Sequence, residues 1–271
     1  MAQAPKRPHF PAHINSSRAP LVPVTARKAA ARASGVPTKW QGAGGRHDLA
    51  KPDIDQDPIP ARARMVELLA VQGIKDAQVL RAFGAVDRRQ FVDTALASQA
   101  YEDTALPIGL GQTISKPGVI ARMVELLIRG LPRDATGRVG RVLDIGTGCG
   151  YQALVLAQVA SEVYSIERLR ALHERARINL RPLRVANVRL IFGDGMKGYP
   201  DGAPYAAIIA AAGGEQVPEA WIDQLAYGGR IVAPVSSGTE QVLMVVDKSR
   251  AGIARRALET VNFVPLKSGK A

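Results

Sequence analysis

Hydrophobic positions change their period part-way along the chain. From Ala61 to Gln72, apolar residues fall at Met65, Val66, Leu68 and Leu69, one face of a helix that Gly73 ends. Asp76 is placed to cap a second helix running through Phe83, and Asp87 to Ala97 predicts a third. A loop over 106–117 precedes a helix with Val119, Ile120, Met123, Leu126 and Leu127 inward. Beyond Gly137, short apolar runs alternate with helical segments. Strands are predicted at 141–145, 162–166, 188–192, 206–211 and 230–235, with helices at 151–160, 169–180 and 217–226. Such alternation means βαβ units and a mainly parallel, doubly wound sheet covered on both faces. Two last apolar runs, 242–247 and 261–266, have no long helix between them and predict an antiparallel pair at the sheet edge. The fold class is therefore α/β, preceded by N-terminal helices.

Residues 1–60 fit none of these periods. They are rich in Pro, Ala, Gly, Arg and Lys, and too poor in apolar surface to offset chain entropy. They are expected to be a disordered basic arm, followed by one domain over 61–271: helices and a loop to 135, then a sheet core from 136. The arm explains much of the charge. The chain of 271 residues carries 36 Lys and Arg against 24 Asp and Glu, a net +12, yet no acid precedes Asp48. A solvated tail is one reading of the arm, an arm for nucleic acid or an acidic partner is a second, and an organelle transit peptide is a third that the Pro density argues against. The single cysteine, Cys149, excludes an intrachain disulfide. With four His and one Cys no zinc cluster is spelled out, so no metal is expected. No apolar run reaches membrane-spanning length and no secretory stretch follows the basic start, so no membrane contact and a cytoplasmic location are expected.

The strongest site signal is the run 142–151, Val-Leu-Asp-Ile-Gly-Thr-Gly-Cys-Gly-Tyr, in which a buried strand meets a Gly-rich turn and a helix. Gly146, Gly148 and Gly150 make G-x-G-x-G, not the G-x-G-x-x-G of a dinucleotide site. Asp144 just before the turn would repel a phosphate but suits a cationic or amino-bearing ligand. S-adenosylmethionine, which has a sulfonium, an ammonium and no phosphate, meets that demand. Glu167 ends the next strand, where an acid can accept from ribose hydroxyls. Asp194, between Gly193 and Gly195, can accept from an adenine amine, with Gly195 leaving the ring room. Each feature has a plainer reading: a tight strand–helix turn, a first-turn acid, an ordinary turn. Three successive strand ends carrying acids are harder to explain that way.

Transfer from a sulfonium needs no acid, and a carboxylate acceptor, with a pKa of about 4, needs no base. The absence of an obvious His, Cys or Lys beside the turn is compatible with such an acceptor. Thr113 and Ser115, before a helix that Pro117 can start, could hold an anion as neutral donors. Ser115 could equally be only the cap of that helix.

The run 106–115, Leu-Pro-Ile-Gly-Leu-Gly-Gln-Thr-Ile-Ser, together with 143–151, 193–195, 217–225, 228–235 and 261–266, resembles the protein-L-isoaspartate (D-aspartate) O-methyltransferase family in its bacterial form. The resemblance runs from about Met65 to Ala271. It implies a class I S-adenosylmethionine-dependent methyltransferase core. It implies methyl transfer to the free α-carboxylate of L-isoaspartyl residues, and of D-aspartyl side chains in some members, in damaged proteins and peptides. The ester then collapses to a succinimide without the enzyme. By the same resemblance Ser115 is the active-site serine. Thr113 and Ile114 lie in the loop covering cofactor and substrate. Asp144, Gly146, Thr147, Gly148, Glu167, Asp194 and Gly195 belong to the cofactor loops. Lys116, Cys149, Ala206 and the turn 213–215 depart from the family pattern. A monomer is expected. The rivals are a class I enzyme acting on RNA or a small molecule, and a non-catalytic cofactor-binding tether.

Overall fold

The computed structural model describes residues 58–271. Helix α1 (Pro58–Val71) opens three residues before the predicted start, and the rest of the arm assigned to 1–60 lies outside the described residues. Helix α2 (Ala77–Ala85) is capped as expected, the Asp76 carboxylate accepting from the amides of Gln78 and Val79. The third predicted helix is instead two 3-10 turns, Arg88–Phe91 and Thr94–Gln99. Asp87 and Asp93 each bind an amide two residues on, and the extended Val92 between them breaks the run.

The loop expected at 106–117 contains a hairpin, β1 (Leu106–Gly109) paired antiparallel with β2 (Gln112–Ile114). Gly109, Leu110 and Gly111 all have positive φ at its tip, the conformation that lets the chain reverse so tightly. Helix α3 (Pro117–Ile128) follows with Pro117 in its first turn, and Ile120, Met123, Leu126 and Leu127 are buried as expected.

Among the described residues, seven strands form the main sheet. In chain order they are β3 (Val139–Ile145), β4 (Ala160–Glu167), β5 (Val188–Phe192), β6 (Tyr205–Ala210), β7 (Leu225–Ser237), β8 (Glu240–Ser249) and β9 (Gly252–Val261). Their spatial order is β5-β4-β3-β6-β7-β8-β9. The first five run parallel, and β8 is antiparallel to both β7 and β9. Helices α4 (Tyr151–Val159), α5 (Arg170–Leu180) and α6 (Glu219–Gln224) make the crossovers. Helix α6 is shorter than the predicted 217–226, because Pro218 precedes it and Leu225 already belongs to β7.

The alternation along the strands sorts the core into two layers. Val142, Val163, Ala207, Ile209 and Val232 share one cluster with α1–α4. Leu143, Ile145, Ile208 and Ile231 share the other with Trp221 and Ile222 of α6. Helix α4 is covered by the N-terminal helices and is buried on nearly every side.

The edge pair differs from expectation. β8 pairs with β9, which takes in only Val261, opposite Gln241, from the predicted run 261–266. Most of β9 is exposed, including Arg255, Arg256 and Glu259, so its apolar alternation is weak and a period search passes over it. A charged edge is a usual protection against further strand pairing. Residues 262–266 instead return across the sheet, where Gly213 bridges Pro265. No helix among the described residues is long and apolar enough to cross a membrane.

Candidate active site

A cavity of about 450 Å³ opens at the carboxyl ends of β3 and β4. Gly146, Gly148 and Glu167 form one wall, over a floor of Ile145 and Ile166. The hairpin tip from Leu110 to Thr113 faces them, and Gly195, residues 211–212 and the segment 264–267 complete the rim.

The Gly-rich turn is tied down from within. The amides of Gly146 and Thr147 both donate to the carbonyl of Ile166, at 2.9 and 3.2 Å. The amide of Gly148 donates to Glu167 Oε2 at 2.9 Å. The turn therefore has no free run of amides to cradle a phosphate, and a carboxylate stands where the phosphate would lie. Glu167 Oε1 accepts from the amide of Leu169 at 2.9 Å. One bond on each oxygen leaves each a further lone pair for a ligand hydroxyl. A Cβ on Gly148, where φ is +56°, would come within 3.2 Å of Ile108 in the hairpin. Gly150 has φ +94° and lies against Leu180 and Ala176 of α5, so the last glycine of the motif serves helix packing.

Asp144 stands behind this wall. It is fully buried, accepting from Gln152 Nε2 at 2.7 Å and from Ser165 Oγ at 2.6 Å. Ser165 Oγ lies 2.7 Å from Thr147 Oγ1. Desolvation raises the Asp144 carboxyl to about 6, the two hydrogen bonds opposing the shift. Asp144 was expected to face the ligand. Strand parity instead points it, with Val142, toward α4, so it orders the turn through Ser165 and Thr147.

Of the other predicted residues, Thr113, Gly146, Gly148, Glu167 and Gly195 line the cavity. Ile114 is buried in the core, and Thr147 is buried behind the turn. Asp194 caps the 3-10 turn after β5, accepting from the amide of Met196 through Oδ1 and of Gly269 through Oδ2. Packing within the protein also demands glycine at 195. A Cβ there would lie 2.7 Å from Ile145. Ser115 is half-buried just after β2 and is not the cap of α3. Lys116 holds that position without a side-chain bond, while Asp103 Oδ1 accepts from the Gly118 amide at 2.7 Å.

These features give a cavity between a Gly-rich turn with a paired carboxylate acceptor and a second loop. A family model described as protein-L-isoaspartate(D-aspartate) O-methyltransferase matches residues 61–271. The chain belongs to this family. A protein-L-isoaspartate O-methyltransferase of Leptothrix cholodnii is 57% identical over 224 residues, covering 82% of this chain and 77% of that protein. One of Methylibium petroleiphilum is 58% identical over 211 residues, 77% of each. A solved protein-L-isoaspartate O-methyltransferase superposes with a TM-score of 0.68 at 29% identity, over 76% of this chain and 66% of that one. A Plasmodium falciparum protein assigned to the same enzyme type, in complex with S-adenosyl-L-homocysteine, gives 0.65 at 27%, over 76% and 98%.

Departures from the isoaspartyl methyltransferase pattern fall mostly outside the cavity. Cys149 is buried, and burial pushes its thiol up, away from nucleophilic chemistry. Ala206 packs beside Gly140. Gly213 sits under the side chain of Gln241 and binds the returning segment through Val264 and Leu266. The sequence reading missed Arg168, Leu169 and Leu172, which line the cavity just after Glu167, and Val264, Pro265 and Lys267. The latter lay in or beside a run read as an edge strand, which gave no sign of a turn back toward the cofactor loops.

Proposed function

We propose that this chain transfers a methyl group from S-adenosylmethionine to the free α-carboxylate of L-isoaspartyl residues in damaged proteins and peptides, with D-aspartyl residues as further acceptors. The observation that carries this reading is the shared cavity. The wall suited to a nucleoside and the hairpin preceding Ser115 enclose one space.

The cavity fits the cofactor by its donors and acceptors. Glu167 offers paired acceptors, and the turn amides at 146–148 are internally satisfied, which suits a ligand without phosphate. Asp194 and Gly195 would hold the base, and Thr113 would close over the site, with Ile114 anchoring the hairpin in the core. S-adenosylmethionine supplies an electrophilic methyl on a sulfonium that departs as a neutral thioether. The chain's task is then to hold an acceptor oxygen in line and exclude water. Among the described residues the cavity lining holds no His or Cys and its one lysine is Lys267; an acceptor that arrives ionised needs none of these as a base. The hydroxyls of Thr113 and Ser115 hold such a carboxylate without neutralising it as a guanidinium would. The ester leaves the enzyme, its neighbouring peptide nitrogen attacks the ester carbonyl and expels methanol to close a succinimide, and hydrolysis of that ring partly recovers normal aspartate.

Both walls come from one chain, which supports action as a monomer. The reading places the enzyme in the cytoplasm, acting on proteins, with the basic arm the part able to meet nucleic acid. Labelled-methyl transfer to an isoaspartyl peptide, set beside transfer to RNA, tests the acceptor. Base-labile label in the peptide is expected. Label in RNA and none in the peptide would transfer the assignment to the rival enzyme class.

A further inference from the structure

The last residues of the chain, 267–271, are exposed, and Phe263 is the final buried side chain before them. Apolar burial therefore does not offset the entropy of ordering this segment. Hydrogen bonds to the two strand ends that carry the cofactor acids hold it. The Gly269 amide donates to Asp194 Oδ2 at 2.8 Å. Arg168 Nε donates to the Gly269 carbonyl at 3.0 Å. The Ala271 amide donates to the Arg168 carbonyl at 2.8 Å, and the Arg170 amide to the Ala271 carbonyl at 2.7 Å. The ring of Phe192, at the end of β5, lies 4.3 Å from the Arg170 guanidinium and 5.6 Å from the Lys270 ammonium.

We propose that residues 267–271 form a strap that positions the adenosine end of the cofactor cavity. Asp194 follows β5, and Arg168 follows Glu167 at the end of β4. The strap joins the two directly, outside the sheet, and Lys267 at its root lines the cavity. It fixes the second oxygen of Asp194, whose first is already used on Met196, so the carboxylate is held in one rotamer before a ligand arrives. It also holds the backbone beside Glu167. Strap residues are positioning residues, because none but Lys267 faces the cavity.

The inference rests on the cavity being the S-adenosylmethionine site, and the test separates the two. S-adenosylhomocysteine binding is measured by calorimetry for the full chain and for a chain ended after Lys267. The full chain should bind. The shortened chain should bind about tenfold more weakly, the worth of one hydrogen bond to a charged group. Its unfolding temperature without ligand should move little, since the deleted side chains are exposed. In turnover, KM for the cofactor should rise by a similar factor, while KM for an isoaspartyl peptide and kcat at saturating cofactor stay put. Gly269→Pro should behave like the deletion. Gly269 has φ +76°, which proline cannot adopt, and the substitution removes the amide that binds Asp194. Equal affinity in the shortened chain would overturn the strap while leaving the cofactor assignment intact. Tighter binding would also overturn it, since the segment would then be competing for Asp194. A full chain that does not bind S-adenosylhomocysteine would remove the cofactor assignment itself, and the strap with it.

Discussion

The two walls of the cavity are built in opposite ways. On the cofactor side, the turn 146–150 has its first three amides bonded to the end of β4, and a buried relay of Gln152, Asp144, Ser165 and Thr147 stands behind it. On the side proposed for the acceptor, the hairpin tip projects Leu110 at 61% exposure, through three consecutive residues with positive φ. Among the described residues one hydrogen bond joins it to the cofactor half, Arg175 Nη1 to the Ile108 carbonyl at 2.7 Å, beside the packing of buried Ile108 against Gly148. A cofactor is always the same molecule, and a rigid wall loses least on binding it. Damaged polypeptides differ in sequence and shape, and an exposed tip on a buried base can adjust to each.

The largest effect should come from the relay. Asp144→Ala leaves the Ser165 hydroxyl and the Gln152 amide without their buried acceptor. It should cost roughly 2–4 kcal/mol of stability, together with most of the cofactor affinity, in urea unfolding and calorimetry. Stability within 0.5 kcal/mol of the parent would mean the relay does not hold the wall. The raised carboxyl adds a pH signature. Its folded value, about 6, lies above the ordinary 3.8. The native state therefore keeps the proton longer, and this residue's contribution falls as pH rises from 4 to 6, then levels. Relative to Asp144→Asn, the parent should lose stability over that window; a flat difference would show that Asp144 does not titrate there.

Glu167→Ala removes the acceptor for the Gly148 and Leu169 amides as well as for a ligand. It should weaken S-adenosylhomocysteine by about a hundredfold, with a smaller loss for Glu167→Gln. Unchanged binding would detach this wall from the cofactor. Ser115→Ala acts on the other side. Turnover of an isoaspartyl peptide should fall about tenfold, near one hydrogen bond to an anion, with cofactor affinity unmoved. Loss of cofactor affinity instead would place Ser115 on the wrong wall. The smallest effect belongs to Arg175→Met, which unties the hairpin. KM for peptide should rise about threefold, as for one modest hydrogen bond, and equal changes in both KM values would blur the distinction between the walls.

Much of this was legible in the sequence because local chemistry and topology agree. Gly146, Gly148 and Glu167 sit at strand ends, where parallel sheets bind ligands, and the structure places them there. Asp144 was legible only in part. Its proximity to the turn suggested a ligand contact, but counting two residues back to the buried Val142 assigns it to the α4 face. The hairpin at 106–114 was hidden by its glycines, which read as loop although Leu106, Ile108 and Ile114 are buried. Strand β9 was hidden by its charges. The contacts of 264–271 with Gly213, Asp194 and Arg168 span from about fifty to about a hundred positions, and no local period encodes them.

The most direct test of the central claim, that alignment between these walls replaces proton chemistry, is the single-turnover rate of methyl transfer to an isoaspartyl peptide between about pH 6 and 9. The acceptor is ionised throughout that range. The rate should be level across it. A rise with a midpoint near neutrality would reveal a general base and contradict the claim.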